Sequence, residues 1–305
     1  MNLLPGIIGS WPTSYFVFEF ITWALLIGLP VLVVWKWKKW NKCFLLLLVI
    51  GWLTVGYGSY IEPRKLVVRE FDISIESLPE LRVGLIADIH VGPYKGQEWM
   101  EKVVKEINTL ELDVLLIPGD FMFGGAEKYA TELSPLQNLS VEKKFATLGN
   151  HDHDIAEPRN TIQSSKVSEA LRNLGIVELK NSRFFWEEQG IWIAGVDDND
   201  LGYSDINGAI GGIEKEPLIL LAHSPDIVDE LETLPSLIVS GHTHCGQIRF
   251  PGMGAVPFTI PTDNGKELER YFYEDKNLFI TCGLGEVGPR ARLLNPPEIV
   301  VLNVN

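Results

Sequence analysis

Five short apolar runs between Val83 and Ser240 each stop at a small residue or a glycine and give way to a carboxylate, amide or imidazole. Val83–Ala87 runs into Asp88-Ile89-His90, Val114–Pro118 into Gly119-Asp120, and Phe145–Leu148 into Gly149-Asn150-His151-Asp152. Leu218–Ala222 runs into His223, and Leu237–Ser240 into Gly241-His242-Thr243-His244. Runs of this length and composition read as buried strands. In an open α/β sheet, ligands bind beyond the carboxyl ends of the strands, so these side chains are expected to converge on one crevice. The chain has six histidines; five fall in these motifs and His153 lies two residues from one. Any single one would more often be structural, but carboxylate, imidazole and amide together at five strand ends read as a metal centre.

Between and beyond these runs, helical and extended patterns alternate. Gln97–Leu110 places Trp99, Val103, Val104 and Ile107 at helical spacing, and further helices are predicted around Ala126–Leu139, over Lys166–Leu174 up to Gly175, and about Asp226–Leu234. The tail is strand-rich: Gln247–Phe250, Glu269–Tyr273, Leu278–Cys282 and Ile299–Val304. This alternation, followed by runs of strands, predicts one layered α/β domain with mixed sheets over 82–305, entered through a linker and first strand at 63–81.

Residues 1–62 have another character. Ser14–Trp35 carries a single charge, Glu19, and Cys43–Ile61 carries none. As helices they would reach about 33 and 28 Å, enough to span a hydrocarbon core of about 30 Å. Trp35, Trp37 and Trp40 interleave with lysines at the turn, as at a membrane interface. A signal peptide would begin with a basic segment, and residues 1–13 hold no positive charge. A transmembrane hairpin is therefore expected. Lys36, Lys38, Lys39 and Lys42 favour a cytoplasmic turn and an extracytoplasmic catalytic domain, against Arg64, Lys65 and Arg69 after the second span. The chain's net charge is −14, and its acidic surplus lies outside the hairpin, so no nucleic-acid-binding surface is evident. Three cysteines without a CxxC exclude a zinc ribbon and a disulfide framework.

Taken in order, DIH at Asp88–His90, GD at Gly119–Asp120, GNHD at Gly149–Asp152, AHSPD at Ala222–Asp226 and GHTHCGQ at Gly241–Gln247 resemble the signature blocks of the calcineurin-like metallophosphoesterases. The closing GLGEVGPRARLLNPPEIVVLNV looks like the bacterial membrane-anchored and secreted, phosphodiesterase-like branch of that superfamily. The resemblance implies a four-layer α/β-β/α sandwich and a metal-dependent phosphoesterase acting on a phosphodiester or pyrophosphate. Two other readings are a UDP-2,3-diacylglucosamine-type pyrophosphatase and an inactive scaffold of the same fold. It also implies two divalent ions (Mn²⁺, Fe or Zn²⁺, which N/O ligands do not distinguish). Asp88, His90, Asp120 and His244 would hold one; Asp120, Asn150, His223 and His242 the other, with Asp120 bridging. His151 is implied as proton donor to the leaving oxygen. Asp152 is either its orienting carboxylate or a turn cap.

Four lesser features complete the expectations. His153 is read as solvent-exposed. Cys245 is read as inert, over a metal-proximal thiol or a disulfide partner of Cys282. Arg290 and Arg292 are candidates for a phosphate clamp. The apolar loop Phe250–Ile260 is either packing or a lip touching acyl chains, which would suit an amphiphilic substrate presented by membrane lipid.

Overall fold

The computed structural model describes residues 13–123, 130–153, 162–213, 216–256 and 269–305. Helix α1 (Thr13–Lys36) and helix α2 (Lys42–Gly56) form an antiparallel hairpin, with Asn41 capping α2 by accepting from the Cys43 amide at 2.8 Å. A π-turn over Tyr57–Ile61 and a 3₁₀ turn over Glu62–Arg64 extend the second helix to the catalytic domain. Both helices are apolar around most of their circumference, yet Phe20, Ile27 and Val34 are 62–77% exposed. A core helix would bury such side chains, so the hairpin is a candidate membrane anchor.

Two six-stranded sheets follow. The first contains β1 (Val67–Ile73), β2 (Leu81–Leu85), β3 (Val114–Pro118), β4 (Lys143–Thr147), β5 (Val177–Glu178) and the final strand β14 (Glu298–Val304), in the order β1-β14-β2-β3-β4-β5. The second contains β6 (Ser182–Trp186), β7 (Ile191–Gly195), β8 (Leu218–Leu221), β9 (Leu237–Ser240), β12 (Tyr271–Tyr273) and β13 (Leu278–Ile280), in the order β12-β13-β9-β8-β7-β6. A two-residue hairpin, β10 (Arg249–Phe250) with β11 (Gly254–Ala255), lies between them in sequence.

Strand periodicity explains the layering. In β3, Val114 and Leu116 face the second sheet, where they join Ile219 and Leu221 of β8; Leu115 and Ile117 face the opposite way. That outer face is covered by α3 (Gln97–Ile107) through Trp99, Met100, Val103, Val104 and Ile107, and by α4 (Ile162–Asn173) through Val167 and Leu171. On the far side, Leu218 and Leu220 of β8 meet Ala209 of α5 (Ile206–Ile210) and Ile227. The result is the expected four-layer α/β-β/α sandwich.

Two predicted helices differ. Of Ala126–Leu139, the described part is a 3₁₀ segment, Ala130–Asn138, interrupted by Pro135; residues 126–129 lie outside the described residues. Asp226–Leu234 shortens to a 3₁₀ turn, Pro225–Asp229, because only Leu231 of the following residues packs on the core.

Candidate metal centre

The ends of β2, β3, β4, β8 and β9 meet at one edge of the sandwich, and seven polar side chains gather there. Asp88, His90 and His244 form one group, and Asp120, His223 and His242 a second; within each, one ligand atom per residue lies within 4.8 Å of the others. Oδ2 of Asp120 lies 3.3 Å from His90 Nε2 and 3.2 Å from His223 Nε2, between the two groups. Oδ1 of Asn150 lies 3.1 Å from His223 Nε2 and 3.2 Å from His242 Nδ1, joining the second group. All seven sequence-derived ligand candidates are thus brought together.

The backbone is bent to achieve this. Asp88, His90, Asp120, His242 and His244 all have positive φ, between 46° and 67°. Non-glycine residues rarely adopt that region, and such strain clusters at functional sites. Gly119, at φ +80°, could not be replaced: a Cβ there would lie 2.6 Å from the Gly149 nitrogen and 2.8 Å from His223 Nδ1.

The ring orientations fit a cation. His90 Nδ1 faces the Met122 carbonyl at 3.2 Å, and His223 Nδ1 faces the Pro118 carbonyl at 2.8 Å; donation to those oxygens leaves each Nε2 as a bare acceptor. His242 faces Asp200 Oδ2 through Nε2 at 3.0 Å, which turns its Nδ1 toward His223 Nε2 at 3.1 Å. Two lone pairs facing each other beside a carboxylate repel unless a cation or proton sits among them. A proton is drawn to the same place as a cation. Burial works against a charged His223, yet the Asp120 carboxylate and its hydrogen bond raise the imidazole well above its ordinary value. Burial likewise opposes an ionised Asp120, but His223 and His151 hold it well below the usual carboxylate range.

His151 donates its backbone N–H to Asp120 Oδ1 at 2.8 Å, and its half-buried ring stands edge-on to His90 with centroids 4.9 Å apart. The Asp152 carboxylate accepts the backbone N–H groups of Asp120, Phe121, Met122 and Gly149 at 2.8–3.1 Å, which welds the loops after β3 and β4 together. Of its two readings, these bonds are those of the turn cap.

Three expectations are corrected. His153 is buried rather than exposed, held by Asp197 Oδ1 at 2.9 Å and packed against the tilted ring of Tyr203. Cys245 is not an inert thiol: it forms a disulfide with Cys282, closing a separation of 37 residues and tying the residue after His244 to the end of β13. Arg292 is not placed to clamp a phosphate, and Arg290 is engaged by the hairpin. Arg292 is fully buried and donates to the carbonyls of Cys282, Gly283, Gly285 and Asn295, while Arg290 lies 3.2 Å from Glu19 and over the rings of Tyr60 and Tyr94. In the loop Phe250–Ile260, Phe250 and Met253 are exposed, and residues 257–260 lie outside the described residues.

Sequence reasoning missed Asp197 and Asp200. The signal was present, since Val196-Asp197-Asp198-Asn199-Asp200 follows the apolar run Ile191–Gly195 and is a sixth strand end rich in carboxylates. Asp200→Ala is expected to free the His242 ring and weaken metal retention about 10–100-fold, the usual cost of losing such a supporting carboxylate. Chelator titration followed by elemental analysis would read this, and retention equal to the parent would remove Asp200 from the site. Loss of the disulfide in a Cys245→Ala/Cys282→Ala variant is expected to cost about 2–4 kcal/mol, from the closure entropy of a loop this long. An unchanged unfolding midpoint would contradict that.

Two mixed sheets with a strand-end cluster of imidazoles and carboxylates define a layered α/β hydrolase of the metal-dependent kind. The chain belongs to the calcineurin-like phosphoesterase family, whose model matches residues 81–246, and is by that membership a phosphoester hydrolase. An uncharacterized metallophosphoesterase from Aquifex aeolicus is 30% identical, over 82% of this chain and 96% of that protein. A protein from Danio rerio described as a transmembrane protein with metallophosphoesterase domain is 35% identical, over 86% of this chain and 62% of its own length. An uncharacterized metallophosphoesterase from Bacillus subtilis is 26% identical, over 82% of this chain and 89% of that protein.

Proposed function

We propose that the chain is a membrane-anchored, two-metal phosphoesterase that hydrolyses a phosphodiester or pyrophosphate presented at the bilayer. The observation that carries the two-metal reading is Asp120, whose Oδ2 lies 3.2–3.3 Å from a ring nitrogen of each group. Asp88, His90, Asp120 and His244 would hold one ion, and Asp120, Asn150, His223 and His242 the other. Two divalent ions held there would polarise the phosphoryl oxygens and acidify a water for attack at phosphorus. The residues divide the remaining work. Asp120 would be shared between the two ions, and its Oδ1 accepts the His151 backbone N–H, so the acid and the shared carboxylate move as one unit. His151 gives its proton to the leaving oxygen. Asp152 fixes the two loops that carry Asp120 and Asn150.

We read the domain as lying on the extracytoplasmic side of the cell membrane. The lysines of the short turn favour that orientation, and the Cys245–Cys282 disulfide supports it independently, since disulfides persist in oxidising compartments. A cytoplasmic UDP-2,3-diacylglucosamine-type pyrophosphatase would need the opposite side. Fusing a reporter active only in the cytoplasm to the C-terminus should give no signal, and a strong signal would reverse the topology. For the chemistry, purified full-length protein should be stripped by chelator, reloaded with Mn²⁺ and assayed on aryl phosphomonoesters, aryl phosphodiesters and a nucleotide pyrophosphate. Hydrolysis that requires the metal is the expected result; none on any substrate would favour the inactive scaffold.

A further inference from the structure

The hairpin is bolted to the metal centre rather than tethered beside it. Arg292 donates its backbone N–H to Gly58 O at 2.9 Å, within the π-turn of the second span. Glu62 accepts from the Asn295 backbone at 2.5 Å, and the same asparagine's side chain donates to the His244 carbonyl at 2.7 Å. Lys95, five residues beyond His90, donates its ammonium to the Pro63 carbonyl and lies 3.2 Å from Glu286. Tyr94 meets Tyr15 of α1, with ring centroids 5.3 Å apart. The loops that follow two metal-ligand motifs therefore end on the domain-proximal part of the hairpin.

Along this seam runs an apolar groove of about 260 Å³, walled by Phe18, Ile21 and Leu25 of α1, Val55 of α2, and Ile248 and Leu293 of the catalytic domain. Three features identify its occupant. Its α1 and α2 walls lie within the two candidate spans, Tyr15–Lys36 and Lys42–Arg64, so on the membrane-anchored reading the medium at its rim is hydrocarbon. Ile21 and Leu25 are 46% and 38% exposed, so the groove opens sideways into that medium. It is smaller than the roughly 300–1,000 Å³ of sites that enclose a whole drug-sized ligand, which suits one chain better than an entire lipid. Its domain wall is continuous with the site: Ile248 lies four residues beyond His244, and Leu293 exchanges backbone hydrogen bonds with Gln247 and Arg249 at 3.1 and 2.9 Å.

We propose that this groove receives one acyl chain of a lipid-linked phosphate ester, with the phosphate delivered to the metal centre. The proposal rests on the phosphoesterase reading and names its substrate class. The hairpin is then half of the substrate site, and the bilayer supplies the substrate from the side.

The test uses full-length protein in phosphatidylcholine nanodiscs with phosphatidylglycerol, a lipid phosphodiester, carrying a diazirine in one acyl chain. After photolysis, peptide mapping should place adducts on Leu25, Val55 and Leu293, and Ala291→Phe, which fills a further lining position, should lower that labelling at least tenfold. Diacylglycerol with the same diazirine chain should label the groove at least tenfold less. Adducts spread evenly over outward residues such as Phe20, Ile27 and Val34 would overturn the proposal, as would equal groove labelling by the diacylglycerol. The wild-type map decides even where the variant does not fold. A parallel assay of wild-type protein with bis(4-nitrophenyl) phosphate and Mn²⁺ tests the phosphoesterase reading alone, so failure of either is seen separately.

Discussion

Asp120→Ala is expected to empty both metal positions, because among the described residues its carboxylate is the one group that approaches ring nitrogens of both clusters. Elemental analysis of the reconstituted parent should approach two ions per chain, and that of the variant should approach none. Activity should fall to background. Asp120→Asn separates charge from shape: it leaves an oxygen for the His151 amide but removes the negative charge that draws the cations in, and it too should bind metal poorly. Full occupancy and turnover in Asp120→Ala would leave two independent sites with no bridge.

His151→Ala should behave oppositely. It contributes no ligand atom to either cluster, so metal content should stay near the parent value while kcat falls about 10²–10⁴-fold, the range for loss of a general acid. An ester with a good leaving group needs less help from an acid, so its rate should fall less than that of an alkyl ester. If both esters lose activity equally, the imidazole stabilises phosphoryl charge instead of transferring a proton. Loss of metal from this variant would show that the ring is needed to hold His90, which it meets edge-on.

The gathering of ligand candidates was legible in the sequence because each sits directly after a strand, and strand ends are local patterns. What surrounds the ligands was not, because it depends on which strand ends become neighbours. Asp200 reaches His242 from the loop after β7, and nothing in the intervening residues encodes that approach. Cys245 and Cys282 meet because β9 and β13 lie side by side, a pairing that their separation of 37 residues does not reveal. The arginines misled for a related reason. An arginine near a presumed phosphate site invites an electrostatic role, but Arg292 is fully buried as a many-armed donor to carbonyls of its own loop. Burial hid His153 in the same way: its partner Asp197 lies 44 residues on.

The position of β14 bears on how the protein is made. This seven-residue strand follows every other strand of both sheets in sequence, yet it lies between β1 and β2, pairing in parallel with one and antiparallel with the other. During synthesis the two early strands leave the ribosome with a gap between them, which only β14 can fill. If the domain crosses the membrane as it is made, the first sheet stays open until β14 has crossed. Removing β14 would therefore leave two unpaired edges inside the sheet. Quality control acting on exposed strand edges would see a nascent domain until β14 had arrived.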